Sequence, residues 1–171
     1  MYTASFDIGS KHFAYCIAST PTDVRTLRLV DLSSKKKKTT TEVVGGVYDR
    51  LLDVLNEEDW THVDRVLIEQ QNNRNVIAIK IAHSVWTWFR TKYPNIKDVR
   101  YVSARTKCSD APTYTIRKKK TVDETYRLLS TSRPDLIAYI DSLKKKDDVC
   151  DAYTQFVVVV TQSNRVPAST P

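Results

Sequence analysis

The spacing of apolar residues changes period part-way along the chain, and that change limits the folds it can adopt. In the first segment Tyr2, Ala4, Phe6 and Ile8 share one face of an extended strand, while Thr3, Ser5 and Asp7 share the other. Gly9 permits a turn, His12 to Ala18 reads as a second strand pairing back in a hairpin, and Val24 to Leu32 as a third. Beyond a run of lysines and threonines the period becomes helical, with Val44, Val47, Tyr48, Leu51, Leu52 and Leu55 at three- and four-residue intervals. Arg65 to Glu69 holds a compact apolar run, Val66-Leu67-Ile68, that ends in a carboxylate. Coming after a helical crossover, it has the pattern of a buried strand in a parallel pair. A second helix carries Ala78, Ile81, Ala82, Val85, Trp86 and Phe89, Pro94 fixes its end, and Val99 to Ser103 is a fifth strand. Trp86, Trp88 and Phe89 fit a core helix better than a dimer face.

The remainder reads as helices. Ala104 to Tyr114 has no period and is expected to be a loop. A helix starting near Arg117 or Lys118 is marked by Val122, Tyr126 and Leu129, and Pro134 opens another with Leu136, Ile137, Ile140 and Leu143 inward. The last helix starts near Asp147 and runs through the valines, with a strand over Val157 to Val160 as the alternative. The order β-β-β-α-β-α-β followed by helices predicts an α/β fold. It is a mixed five-stranded sheet, three antiparallel strands and then parallel ones, flanked by helices. One domain is expected over residues 1–162, with residues 163–171 a disordered tail.

Charge and composition narrow the function. The chain carries a net charge of +7, and its cations cluster in three runs, Lys35 to Lys38, Arg117 to Lys120 and Lys144 to Lys146. Three such runs on one small domain predict a phosphate-binding surface and a polyanionic partner. The longest apolar stretch, Phe156 to Val160, is far too short to span a bilayer, and no leader pattern precedes Tyr2, so no membrane role is expected. Cys16, Cys108 and Cys150 form neither a disulfide framework nor a zinc pattern, which suits reduced thiols in an intracellular, reducing compartment. His12, His62 and His83 are scattered and read as packing or solvent-facing residues rather than ligands.

The acidic residues carry the chemistry. Asp7 sits near the end of the first strand, Glu69 ends the fourth, and Asp148 and Asp151 lie at i and i+3 on one side of the final helix. Asp147 is also within reach, although as the N-cap of that helix it has a structural use. Singly each acid has an ordinary explanation: Asp7 as a turn former, Glu69 as a surface residue, Asp148 and Asp151 as first-turn carboxylates. Together they can converge at one edge of the sheet, where a bare cluster would repel itself and raise its own pKa values. Hard divalent cations remove that penalty, and Mg²⁺ suits carboxylates, water and phosphate oxygens. Two such ions activate water and stabilise the leaving oxygen in phosphodiester cleavage.

Asp7-Ile8-Gly9, Ile68-Glu69-Gln70-Gln71 and Lys145-Lys146-Asp147-Asp148-Val149-Cys150-Asp151-Ala152 resemble, in order along the chain, the motifs of RuvC-like Holliday junction resolvases of the ribonuclease H-like superfamily. The likeness is to the poxvirus and mitochondrial branch. The resemblance implies a homodimer that binds four-way DNA junctions and makes paired symmetric nicks with two Mg²⁺ per active site, Mn²⁺ substituting. It implies Asp7, Glu69, Asp148 and Asp151 as metal ligands, with Asp147 an alternative for the third place. It also implies a catalytic lysine within Arg117-Lys118-Lys119-Lys120, for which Lys118 is favoured. Gln70, Gln71 and Arg74 would lie at the junction centre. Arg117, Lys119, Lys120, Lys144, Lys145 and Lys146 would face DNA. The chain has neither an added DNA-binding segment nor an import leader, which points to a viral member working in the host cytoplasm.

Three other readings share some of these features. Another ribonuclease H-like nuclease, acting on RNA or RNA–DNA hybrids, would use the same carboxylates. A catalytically silent branched-DNA-binding protein would leave the acids without a role. Asp7-Ile8-Gly9-Ser10-Lys11 resembles the first phosphate loop of actin-like ATPases, but a chain with only three glycines lacks their later phosphate motifs. No nucleotide cofactor is therefore expected.

Overall fold

In the computed structural model the alternating opening forms β1 (Tyr2–Asp7), β2 (Phe13–Ala18) and β3 (Val24–Val30). The chain continues through α1 (Thr40–Glu57), β4 (Val63–Gln70), α2 (Val76–Lys92), β5 (Asp98–Ser103), α3 (Tyr114–Leu129), α4 (Pro134–Ser142) and α5 (Lys146–Ser163). The structure describes the backbone of residues 1–33, 40–104 and 113–163, with side chains except at 40–44 and 163. The Lys35 to Lys38 run, Cys108 and all of the expected tail except Ser163 lie outside the described residues.

One sheet is ordered β3-β2-β1-β4-β5. β1 pairs antiparallel with β2 and parallel with β4, β2 is antiparallel to β3, and β4 is parallel to β5. The mixed five-stranded sheet expected from the sequence is therefore present, with β1 at its centre. A central strand covered on both faces must bury both sets of side chains. One face packs Phe6, Phe13, Tyr15 and Ile68 against Leu51, Leu55, Ile81, Val85 and Phe89 from α1 and α2. Trp60 anchors this core, fully buried, its Nε1 donating to Leu55 O at 2.7 Å and its ring 5.0 Å from that of Phe89. The other face packs Ala14, Cys16 and Leu27 against Leu129, Ile140, Val149, Tyr153 and Phe156 from the last three helices. Thr3 and Ser5, on the polar side of the β1 alternation, are thereby fully buried too.

Several boundaries differ from the sequence expectations. α3 begins at Tyr114 rather than near Arg117, because the Thr113 side chain accepts a hydrogen bond from Ile116 N and caps the helix there. α5 begins at Lys146, so Asp147 lies in its first turn and is not the N-cap. Ser163, expected in a disordered tail, is the last residue of that helix. Val157 to Val160 are helical, and the strand alternative falls: packing of Val157 and Val159 overrides their β preference. Trp88 packs at the margin of the core while Trp86 is 36% exposed, so only part of that aromatic set is core. Gly9 has a close-approach role: a Cβ there would meet His12 O at 2.8 Å. Among the described residues no helix is long and apolar enough to cross a membrane, and Cys16 and Cys150 are buried free thiols.

Candidate active site at the carboxyl ends of the parallel strands

Phe6 and Ile68 are partners in the parallel β1–β4 register, so Asp7 and Glu69 each stand one residue further along adjacent strands. Alternation puts both on the side of the sheet that α5 covers. From α5, Asp148 and Asp151 project toward the same point, and α3 brings Arg117 and Lys118. These side chains, with Tyr114 and Ala104, line one cleft of about 210 Å³. Asp7, Asp148 and Asp151 are 8–9% exposed, so three acids sit in a largely desolvated place.

Lys118 holds that charge together. Its Nζ donates to Asp151 Oδ2 at 2.5 Å and lies 3.0 Å from Asp147 Oδ2 and 3.6 Å from Asp148 Oδ1. Burial works against a charged ammonium, but Asp151, Asp147 and Asp7 outweigh it and push the Lys118 pKa well up. The two neighbouring aspartates move apart in response. Burial pushes the Asp147 carboxyl up, yet the Lys118 hydrogen bond and charge bring it below the usual carboxylate range. Burial also pushes Asp148 up, the charges of Asp147 and Asp7 add to it, and the more distant Lys118 does not reverse it. Asp148 Oδ2 is buried and finds no hydrogen-bond partner among the described residues, with His12 Nδ1 3.9 Å away. Among the described residues no three of His, Cys, Asp and Glu stand so as to hold a metal ion ready-made. The positive charge amid the acids is that of Lys118.

The remaining expected DNA contacts distribute around the cleft. Gln71 turns back to Glu69, its Nε2 3.2 Å from the backbone oxygen and 3.3 Å from Oε2, whereas Gln70, the last residue of β4, and Arg74 beyond it are exposed. Lys119 and Lys120 lie exposed on α3, and Lys144 is exposed ahead of α5. Lys145 Nζ is 3.7 Å from Asp147, while Lys146 turns away to Asp141 at 2.5 Å. The sequence left the choice within Arg117 to Lys120 open, and the structure turns Lys118 onto the acids. Two more residues stand at the cleft, Tyr114, to which the sequence assigns no role, and His12, which reads there as a packing or solvent-facing residue. Tyr114, 62% exposed, carries the Arg117 guanidinium 5.3 Å above its ring, and its signal was the Thr113 cap. His12 approaches Asp148 from the β1–β2 turn, a proximity that no spacing announces.

Residues 1–162 match the family described as Poxvirus A22 protein. The chain belongs to the poxvirus A22 family. This is the family of poxvirus Holliday junction resolvases. A relative of the A22 chain is the uncharacterized protein 170L of Invertebrate iridescent virus 6, 26% identical over 213 aligned positions that cover 91% of this chain and 87% of that protein. Among solved structures it resembles the Fowlpox virus resolvase in complex with Holliday junction DNA, with TM-score 0.66 and 16% identity over 97% of this chain and 100% of that one. It also resembles T. thermophilus RuvC in complex with a Holliday junction substrate, with TM-score 0.58 and 15% identity over 96% and 95% of the two chains. At these identities the structural likenesses speak for the fold.

Proposed function

We propose that this A22-family chain is a Holliday junction resolvase, hydrolysing phosphodiesters in paired strands of four-way DNA junctions as a homodimer. The observation that carries the reading is the meeting of Asp7, Glu69, Asp148 and Asp151 in one cleft of a chain whose residues 1–162 match that family. The all-oxygen donor set suits Mg²⁺, with Mn²⁺ in its place, and the buried Asp148 Oδ2, which accepts no hydrogen bond among the described residues, is free to ligate a cation. These four acids would hold the ions, with Asp147 adjoining. When bound, such ions activate water and stabilise the departing oxygen.

The other roles fall to the chain itself. Lys118 balances the acids and, on releasing one of them, can turn its ammonium toward the scissile phosphate. Arg117, Lys119, Lys120, Lys144 and Lys145 would neutralise phosphates along the two arms. Gln70, Gln71 and Arg74 would meet the branch point, just beyond Glu69. Burial of Asp7, Asp148 and Asp151 leaves each only 8–9% exposed, so few waters reach the acids at once. The test is incubation with an immobile four-way junction, a matched duplex and an RNA–DNA hybrid, with and without Mg²⁺. Paired nicks near the branch point, only with metal, are expected. Cutting confined to the hybrid would instead assign the protein to RNA-directed nucleases.

A further inference from the structure

Gln155 lies on α5 one turn beyond Asp151 and is 1% exposed. Its Nε2 is 3.1 Å from Ser5 Oγ, 3.3 Å from Phe6 O and 3.4 Å from Leu67 O. The two carbonyls fix which end of the amide faces the sheet, because an oxygen there would meet two other acceptors. Phe6 immediately precedes Asp7 on β1, and Leu67 lies two residues before Glu69 on β4. A single side chain thus joins the helix bearing Asp148 and Asp151 to the backbone of both strands that bear the other acids.

Stability alone does not account for an amide at this place. Its Oε1 is buried and finds no hydrogen-bond partner among the described residues. Its neighbours on the same inner face, Ala152 and Phe156, are apolar. An apolar side chain of similar length would leave no such unsatisfied oxygen. What the amide provides and an apolar residue cannot is a fixed distance between α5 and the edge-forming ends of β1 and β4.

We infer that Gln155 is a positioning residue that sets the spacing between the strand carboxylates, Asp7 and Glu69, and the helix carboxylates, Asp148 and Asp151, and so the geometry in which they take a divalent ion. The inference rests on the metal-site reading proposed above. Ligand sets for hard cations tolerate only a few tenths of an ångström, so a small slide of α5 along the sheet is felt at the ion before it is felt in the fold.

The test is Mn²⁺ titration of the DNA-free protein, followed by electron paramagnetic resonance, with thermal melting of each variant. Gln155→Met keeps the volume and removes the donor, and it is expected to weaken Mn²⁺ binding by roughly tenfold while still melting cooperatively. Thr154→Val is the control: Thr154 is buried on the same helix, with a hydroxyl that finds no partner among the described residues. It is expected to leave Mn²⁺ affinity unchanged. Equal affinity in wild type and Gln155→Met overturns the inference. Should Gln155→Met not fold, Gln155→Asn keeps an amide but shortens the side chain by one methylene so that it no longer spans to both carbonyls, and an affinity equal to wild type in that variant overturns the inference instead. Wild-type protein that binds no Mn²⁺ is a separate result: it removes the proposed metal site, and this inference with it.

Discussion

Lys118 Nζ and Asp151 Oδ2 are 2.5 Å apart although the residues are 33 apart in sequence and belong to different helices. The contact ties α3 to α5 at the one point where α5 also faces Asp7 and Glu69. It makes Lys118 a structural cation of the acidic cleft as well as a candidate for substrate contact, and the two roles have separable consequences.

Lys118→Met is expected to destabilise the protein in EDTA at neutral pH by about 1–3 kcal/mol, since it strands buried acids without their partner. For a chain of this size that is roughly 2–4 °C in melting temperature per kcal/mol. Lys118 holds the native Asp147 carboxyl down, and a depressed carboxylate contributes stability above its unfolded pKa that is lost as pH falls through the folded one. The gap between wild type and variant should therefore close as pH drops below about 4. Melting curves at the two pH values decide it, and a gap that persists in acid would show that packing, not charge, is what Lys118 provides.

Asp148 behaves in the opposite sense. Burial first, then Asp147, raises its pKa, so Asp148 takes up a proton more readily in the fold than in the unfolded chain, and that contribution disappears as pH rises through the raised value. Asp148→Asn should stabilise the metal-free protein near pH 7 by on the order of 1 kcal/mol. The same change should abolish the rise in melting temperature that Mn²⁺ gives the wild type. An Asn variant that melts lower without metal would mean that the Asp148 charge is not strained in the fold, and one that still responds fully to Mn²⁺ would mean that Asp148 holds no ion.

Asp7→Asn and Glu69→Gln should each reduce junction cutting by at least about a hundredfold. Junction binding should be retained or tightened, because a charge that repels phosphate is gone. Gel shift in the absence of metal and cleavage in its presence separate the two effects. Normal cutting by both variants would mean that the acids of this cleft are not the reacting centre.

Tyr114 and its neighbours on α3 should differ in their salt response. Tyr114→Ala removes an exposed ring beside the acids, and base stacking of this kind is worth about 1–3 kcal/mol. Affinity should fall by that amount with no change in the slope against salt, and Tyr114→Phe should restore it. Lys119→Ala or Lys120→Ala should lower the slope by about 1 each. A changed slope in Tyr114→Ala would mean that its contribution runs through the Arg117 guanidinium stacked on it.

What the sequence disclosed was periodicity and order. The alternation through Asp7, the apolar run ending at Glu69 and the i, i+3 placement of Asp148 and Asp151 were enough to place the strands and to bring four acids to one edge. What covers a face is not written in its period. Thr3 and Ser5 alternate like solvent-facing residues and are buried, because α5, from the far end of the chain, lies on them. Gln155 escaped notice for the same reason: a polar residue among valines gives no sign of the two strands it will touch. Which of Lys118, Lys119 and Lys120 meets the acids depends on where α3 begins, and the cap at Thr113 marks that start.

Among the described elements the central strand of the sheet comes first along the chain, and the helix that completes its acidic edge comes last. A chain that stops short of α5 therefore holds Asp7 and Glu69 but lacks Asp148, Asp151 and Gln155. Closure of such distant segments is slow compared with local helix formation. The acidic cleft is thus a product of long-range closure: its two halves come from the most distant described elements, and neither half folds into a cleft without the other.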